Sequence, residues 1–194
     1  WDALAPVRWP VSRGEGKWDL HRGWRTDGRL RMVPVTPQTM QARSEPLYPL
    51  ILNSGRVRDQ WHTMTRTGSV PLLMQHIAQP MVEISPQDAA HYTIQHGGLA
   101  RISSPRGVMV ARVAVSDTQR PGSLFTPMHW NHCFARQGKV NALVAPVCDP
   151  HSGQPESKQT AVRITAWQPG WQGELYVREM PDLPADLYWV RKAT

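Results

Sequence analysis

Two alternating apolar runs joined by a short turn constrain this chain most. Gly98-Leu-Ala-Arg-Ile-Ser-Ser104 and the Val-rich run from Gly107 to Val115 flank the turn Pro105-Arg106-Gly107. A period of two sends successive side chains to opposite faces. Two such runs with so little chain between them read as an antiparallel hairpin. A lone hairpin is marginal in water, so further strands must join it. The candidates are Tyr48 to Asn53, ending in Ser54-Gly55, then Met81 to Ile84, Leu124 to Met128, Thr160 to Trp167 and Glu174 to Glu179. Helical signals are short. Leu72 to Ala78 is stopped by Pro80. A second helix starts at Ser85 as N-cap with Pro86 and Asp88 in its first turn, runs to about Gln95, and stops at Gly97-Gly98. No repeat of solenoid length is present. The expected class is mainly β with short helices, closed into a barrel with helical inserts.

Three segments follow from the pattern. Residues 1–45 are irregular and rich in Trp, Arg, Gly and Pro; Trp1, Trp9, Trp18 and Trp24 follow neither period. Such a segment builds no core of its own and reads as an extended arm laid against another surface, with disorder as the competing reading. Residues 46–167 form the barrel, and 168–194 a tail packed on it. The chain opens on Trp1 rather than Met, which reads as a processed chain or a fragment.

Lys and Arg outnumber Asp and Glu by 22 − 15 = 7. A basic surface suits an anionic partner, although the basic residues are scattered and serve solubility equally well. No apolar run approaches the roughly 18 residues of a membrane-spanning helix. Cys133 and Cys148 lack CxxC spacing, so they build neither a zinc site nor an iron–sulfur cluster. They are expected as buried thiols, with a disulfide left open. No Ser-His-Asp order, paired-carboxylate motif or HExxH supports independent catalysis. His129 and His132 alone make a poor metal site. No residue is therefore assigned as catalytic or metal-ligating.

Several residue types suit a phosphorylated heterocycle. Ser54-Gly55 after a strand offers backbone N–H groups to a phosphate. Arg56 offers a planar donor fork, and Trp61 a stacking surface. His62 and Thr63 add short-range donors, Asn141 both donates and accepts, and Lys158 is a point charge. Each has a plainer reading: a simple turn for Ser54-Gly55, a solvated charge cluster for Arg56, Arg58 and Asp59, core for Trp61, and a structural histidine for His62.

The stretch Leu52-Asn-Ser-Gly-Arg-Val-Arg-Asp-Gln-Trp-His-Thr-Met-Thr-Arg66 resembles a signature of the molybdopterin oxidoreductases. Pro127-Met-His-Trp130 with Val140-Asn-Ala-Leu-Val144, and Asp149-Pro-His-Ser-Gly-Gln-Pro-Glu-Ser-Lys158, follow in the same order. Together they resemble the assimilatory nitrate reductase branch, as do Ala3-Leu-Ala-Pro-Val-Arg-Trp-Pro-Val11 and Thr26-Asp-Gly-Arg-Leu30. The resemblance implies a double-psi β-barrel, the C-terminal cofactor-binding domain of an enzyme that reduces nitrate to nitrite. The fragment itself is expected to be inactive alone. The implied cofactor is molybdenum held by two molybdopterin guanine dinucleotides (Mo-bisMGD), with an iron–sulfur cluster in the missing N-terminal part. By position, Ser54, Gly55, Arg56, Val57, Trp61, His62, Thr63, Asn141 and Lys158 are expected to contact the cofactor. Met128 and His129 are expected nearest the substrate approach. The implied partners are the remaining domains, nitrate, and an electron donor left open. Neither nucleic acid nor membrane is expected, and the implied compartment is cytoplasmic. The alternatives are the same domain from a formate dehydrogenase or other oxyanion reductase, a basic nucleic-acid-binding barrel, and a structural lid without ligand.

Overall fold

The computed structural model describes Met32 and residues 34–192. Trp1, Trp9, Trp18 and Trp24, on which the arm reading rests, lie outside the described residues. The chain divides into two compact units, Trp1–Thr39 and Met40–Thr194. In the first, residues 34–39 carry no regular structure. The second takes in residues 40–45, which the sequence assigns to the arm. There the amides of Gln41 and Ala42 donate to the Glu156 carboxylate at 3.2 and 3.1 Å.

The second unit contains β1 (Leu50–Gly55), α1 (Pro71–Met74), β2 (Met81–Ile84), α2 (Pro86–His91), β3 (Leu99–Ser104), β4 (Gly107–Val115), β5 (Ser123–Pro127), β6 (Ala135–Arg136), β7 (Thr160–Trp167) and β8 (Trp189–Val190). Six strands close into a barrel in the order β1-β5-β2-β4-β3-β7. The β3–β4 hairpin pairs Ser104 with Gly107 and Leu99 with Arg112. Two pairs are parallel, β1 with β5 and β2 with β4, and the other pairs are antiparallel. Alternation fills the interior. Leu50 and Leu52 of β1, Val82 and Ile84 of β2, Ala100 and Ile102 of β3, Leu124 of β5, and Val162 and Ile164 of β7 are all buried in one cluster. Burying a side chain of this size contributes roughly 1.5–3 kcal/mol.

Helix α2 starts as the sequence predicts: the Ser85 hydroxyl accepts from the Asp88 N–H at 3.1 Å. It ends at His91, short of Gln95. Thr93 sits in the left-handed region (φ 55°), and the Ile94 N–H turns back to the Ala89 carbonyl at 2.8 Å. The α1 region is also shorter than its apolar run suggests. The alternation at 174–179 forms no strand; those residues are exposed and have no partner strand. The tail docks further along instead. β8 pairs with β6, and the Arg191 N–H donates to the Phe134 carbonyl at 2.8 Å. The Tyr188 and Trp167 rings meet edge to face at 6.0 Å.

A smaller core lies beside the barrel. Met64, Met74, Trp130, Phe134 and Ala135 are buried together, with Ile77 and Val190 against them. It joins the segment after β1, the segment after β5 and the tail strand. Cys133 and Cys148 are free and exposed, which corrects the expectation of buried thiols. No helix among the described residues is long and apolar enough to cross a membrane.

Candidate functional site

Strand directions gather the three sequence motifs at one end of the barrel. β1 and β5 run parallel with Gly55 opposite Pro127, so both point their C-terminal ends the same way. Leu52 of β1 faces Thr160, which brings the start of β7 to that end. The antiparallel β3–β7 pairing then adds the end of β3 and the turn into β4. Lys158 lies just before β7, and its ammonium donates to the Ser54 carbonyl. Asn141 sits on a 3-10 turn, Val140–Ala142. The Ser104 hydroxyl fixes that turn by donating to the Leu143 carbonyl at 2.7 Å. A Cβ at Gly107 would come within 2.6 Å of the Ala142 carbonyl oxygen, so the turn crosses the hairpin where only glycine allows it.

The chain leaves β1 as an irregular loop whose inward groups are all engaged. The Val57 N–H donates to His129 Nε2 at 2.9 Å. His129 Nδ1 lies 2.6 Å from the His62 carbonyl oxygen. The buried Gln60 amide donates to the Leu73 carbonyl at 3.1 Å. The Gln60 Oε1 accepts from the Thr67 hydroxyl at 2.6 Å, and that hydroxyl accepts from the Trp61 N–H at 3.2 Å. Asn131 Nδ2 donates to the Thr63 carbonyl at 2.8 Å. Met64 is wholly buried in the smaller core. Two non-glycine residues here take left-handed backbone, His62 (φ 41°) and Met64 (φ 62°). Such positions cost roughly 1–3 kcal/mol each and persist only where surroundings over-determine them.

The loop's outward groups are Arg56, Trp61, His62 and Thr63, all exposed. Trp61 is 53% exposed, unusual for the largest apolar side chain. The Arg56 guanidinium stands 5.8 Å from the Trp61 ring centre, within cation–π range. The Trp61 and His62 rings meet edge to face at 4.4 Å. Beside them Asp59 accepts from Arg58 at 2.8 Å and lies 2.9 Å from His76 Nδ1. The Arg58 hydrogen bond holds the Asp59 carboxyl below its ordinary range. The loop thus exposes a guanidinium, an indole, an imidazole and a hydroxyl, while the neighbouring carboxylate is paired with Arg58.

Five of the expected residues also make contacts within the protein. Ser54 is buried and its hydroxyl donates to the Ser157 carbonyl at 2.8 Å. The Val57 N–H is taken by His129. Gly55 accommodates the Phe125 ring, since an added Cβ would come 2.5 Å from its Cε2. His129 is 0% exposed with both nitrogens engaged, so it does not face a substrate approach. Burial holds its pKa below the ordinary histidine value. Met128 is half-buried against the barrel core, and its N–H donates to the Gly55 carbonyl at 2.8 Å. Arg56, Trp61, His62, Thr63, Asn141 and Lys158 remain exposed at the shared end. Thr67 and Asn131, which brace the loop, were not singled out by sequence. Their bonds to nearby backbone are ordinary for Thr and Asn, and only the tertiary pairing shows what they support.

The molydopterin dinucleotide binding domain family matches residues 50–161. The chain belongs to that family. The chain is 65% identical over its full length to a nitrate reductase of Klebsiella oxytoca, covering 22% of that protein. It is 40% identical over 71% of its length to a periplasmic nitrate reductase of Desulfovibrio desulfuricans, covering 18% of it. It therefore spans about a fifth of the length of these relatives. Among solved structures, acetylene hydratase from Pelobacter acetylenicus superposes on 62% of the chain at 15% identity, with a TM-score of 0.51 and 18% of the hydratase chain covered. The domain is a double-psi β-barrel, with its two parallel strand pairs inside an otherwise antiparallel closed sheet.

Proposed function

We propose that this domain forms one wall of the pterin dinucleotide site in a molybdenum enzyme that reduces nitrate to nitrite, with Mo-bisMGD as the cofactor. A C-terminal position in the parent chain and an iron–sulfur cluster in its N-terminal part belong to the same reading. One observation carries it. The loop after β1 spends its buried groups on protein partners and leaves Arg56, Trp61, His62 and Thr63 exposed at the barrel end that also bears Asn141 and Lys158.

The residue chemistry fits the group. Arg56, oriented over Trp61, presents its fork to phosphate oxygens or ring acceptors. Lys158 is anchored by the Ser54 carbonyl and keeps its other donors for an anion. Asn141 offers a donor and an acceptor to a guanine or pterin edge. When bound, the molybdenum and its dithiolenes supply the two-electron oxygen-atom transfer. The domain supplies binding, orientation and positive charge, and its net +7 favours both an anionic cofactor and an anionic substrate.

The partners in this reading are the remaining domains of the parent protein and an electron donor. Their length is available to cover the exposed apolar side chains of Trp171, Leu175 and Tyr176. A cytoplasmic site of action goes with the two free thiols. The 65% identity to a nitrate reductase favours nitrate over formate. A viologen-coupled assay of the full-length protein with each substrate decides between them. Arg56→Ala in the full-length protein is expected to lower molybdenum and pterin per protein. Loss of one charge-assisted contact, about 1.5–3 kcal/mol, weakens binding on the order of 10- to 100-fold. Full occupancy with unchanged activity contradicts the reading.

A further inference from the structure

We propose that His129 is the positioning residue of the loop, a neutral imidazole that clamps Val57 at one end and His62 at the other. Through that clamp, Arg56, Trp61, His62 and Thr63 are presented in a single geometry.

The hydrogen-bond network assigns the tautomer. Nε2 accepts the Val57 N–H and therefore carries no proton. The His62 carbonyl only accepts, so the proton sits on Nδ1. Both nitrogens are satisfied and the ring is wholly buried, so no polar atom remains for substrate. The clamp spans a segment that has no ladder of its own, since the pairing of β1 stops at Gly55. Left-handed backbone at His62 and Met64 resists the loop's shape, and the ring opposes that tendency at His62 itself. The ring's own placement is fixed nearby. The Met128 N–H donates to the Gly55 carbonyl at 2.8 Å, and Trp130 is buried in the smaller core. His129 thus ties the end of β1 and β5 to the loop, across 72 residues of sequence.

The proposal rests on the cofactor reading for its purpose but is tested separately from it. The full-length protein is prepared as wild type, His129→Gln, His129→Asn, His129→Ala and Arg56→Ala. Hydrogen exchange at the Val57 amide is read by mass spectrometry with fragment-level resolution, alongside molybdenum per protein. Gln places an acceptor near the Nε2 position, and Asn places a donor near Nδ1. The expected result is at least about tenfold faster Val57 exchange in His129→Ala and His129→Asn, protection largely kept in His129→Gln, and unchanged exchange in the β3–β4 hairpin. A ring that merely fills space predicts no difference between Gln and Asn, and that equality would overturn the proposal. Should His129→Ala fail to fold, the Gln and Asn pair still decides. Arg56→Ala with Val57 protection intact and full molybdenum would sink the cofactor reading alone. Loop exchange unmoved in every His129 variant would sink the clamp alone.

Discussion

An added methyl at Gly55 would meet the edge of the Phe125 ring at 2.5 Å. Overpacking of this kind costs about 1–3 kcal/mol. Gly55→Ala is therefore expected to speed exchange of β1 and β5 amides, and Phe125→Leu in the same protein to restore much of the protection. Equal exchange in the single and double variants would contradict this account. His129 is the other decisive residue. Burial lowers its pKa in the folded state, the His62 backbone bond opposes that shift, and the Arg56 and His62 charges add to it. The unfolded chain then binds the proton more readily. The stabilisation from neutral His129 is complete above the ordinary value of 6.5 and is lost as pH falls below it, toward and through the folded pKa. Val57 exchange, corrected for its intrinsic pH dependence, is expected to rise on the acid side in wild type and to stay flat in His129→Gln. A flat wild-type profile down to acid unfolding would contradict that. At this scale the sequence shows which side chains are suited to a phosphorylated ligand, because Arg, Trp, Asn and Lys carry that chemistry anywhere. It does not show that Ser54, Val57 and His129 are occupied, because their partners lie 103 residues away in the first case and 72 or 67 in the others.

Elements fall into those with a period and those without. Short apolar runs locate β1, β2 and β5, and alternation locates β3, β4 and β7, all within a residue or two. It misplaces one at 174–179, because a period of two does not supply a partner edge, and it is blind to the two-residue β6 and β8. The cap of α2 is legible as Ser85-Pro86-Gln87-Asp88. The end is not, because it depends on Thr93 taking left-handed backbone. Asp88 Oδ2 accepts both from the Ser85 hydroxyl and from the Gly122 N–H, each at 2.8 Å, so the cap also ties α2 to the turn before β5. Ser85→Ala is expected to cost about 0.5–2 kcal/mol, read as faster exchange in α2. The tail offers the opposite case. Burial pushes the Tyr188 hydroxyl up to about 12, and that oxygen has no hydrogen-bond partner. Removing an unsatisfied buried hydroxyl relieves its desolvation penalty. Tyr188→Phe is expected to leave β8 exchange unchanged or slower. Faster exchange would reveal a bond to that hydroxyl.

The whole molecule places its chemistry by topology. Parallel β1 and β5, with β7 antiparallel to β1 and β3, bring three separate motifs to one end of a closed barrel. The smaller core then holds the loop after β1 in place there. A shallow groove on the outer wall, lined by Ile51, Asn53, Glu83, Arg120 and Phe125, lies along the strands instead. It is lined by none of Arg56, Trp61, Asn141 or Lys158. The deciding measurement is an experimental structure of the cofactor-loaded full-length protein. The expected result is a phosphate or ring heteroatom of the pterin dinucleotide within about 3.2 Å of the Arg56 guanidinium, with Asn141 and Lys158 lining the same ligand. A dinucleotide seated along the outer groove, or one that leaves Arg56 in solvent, would contradict it.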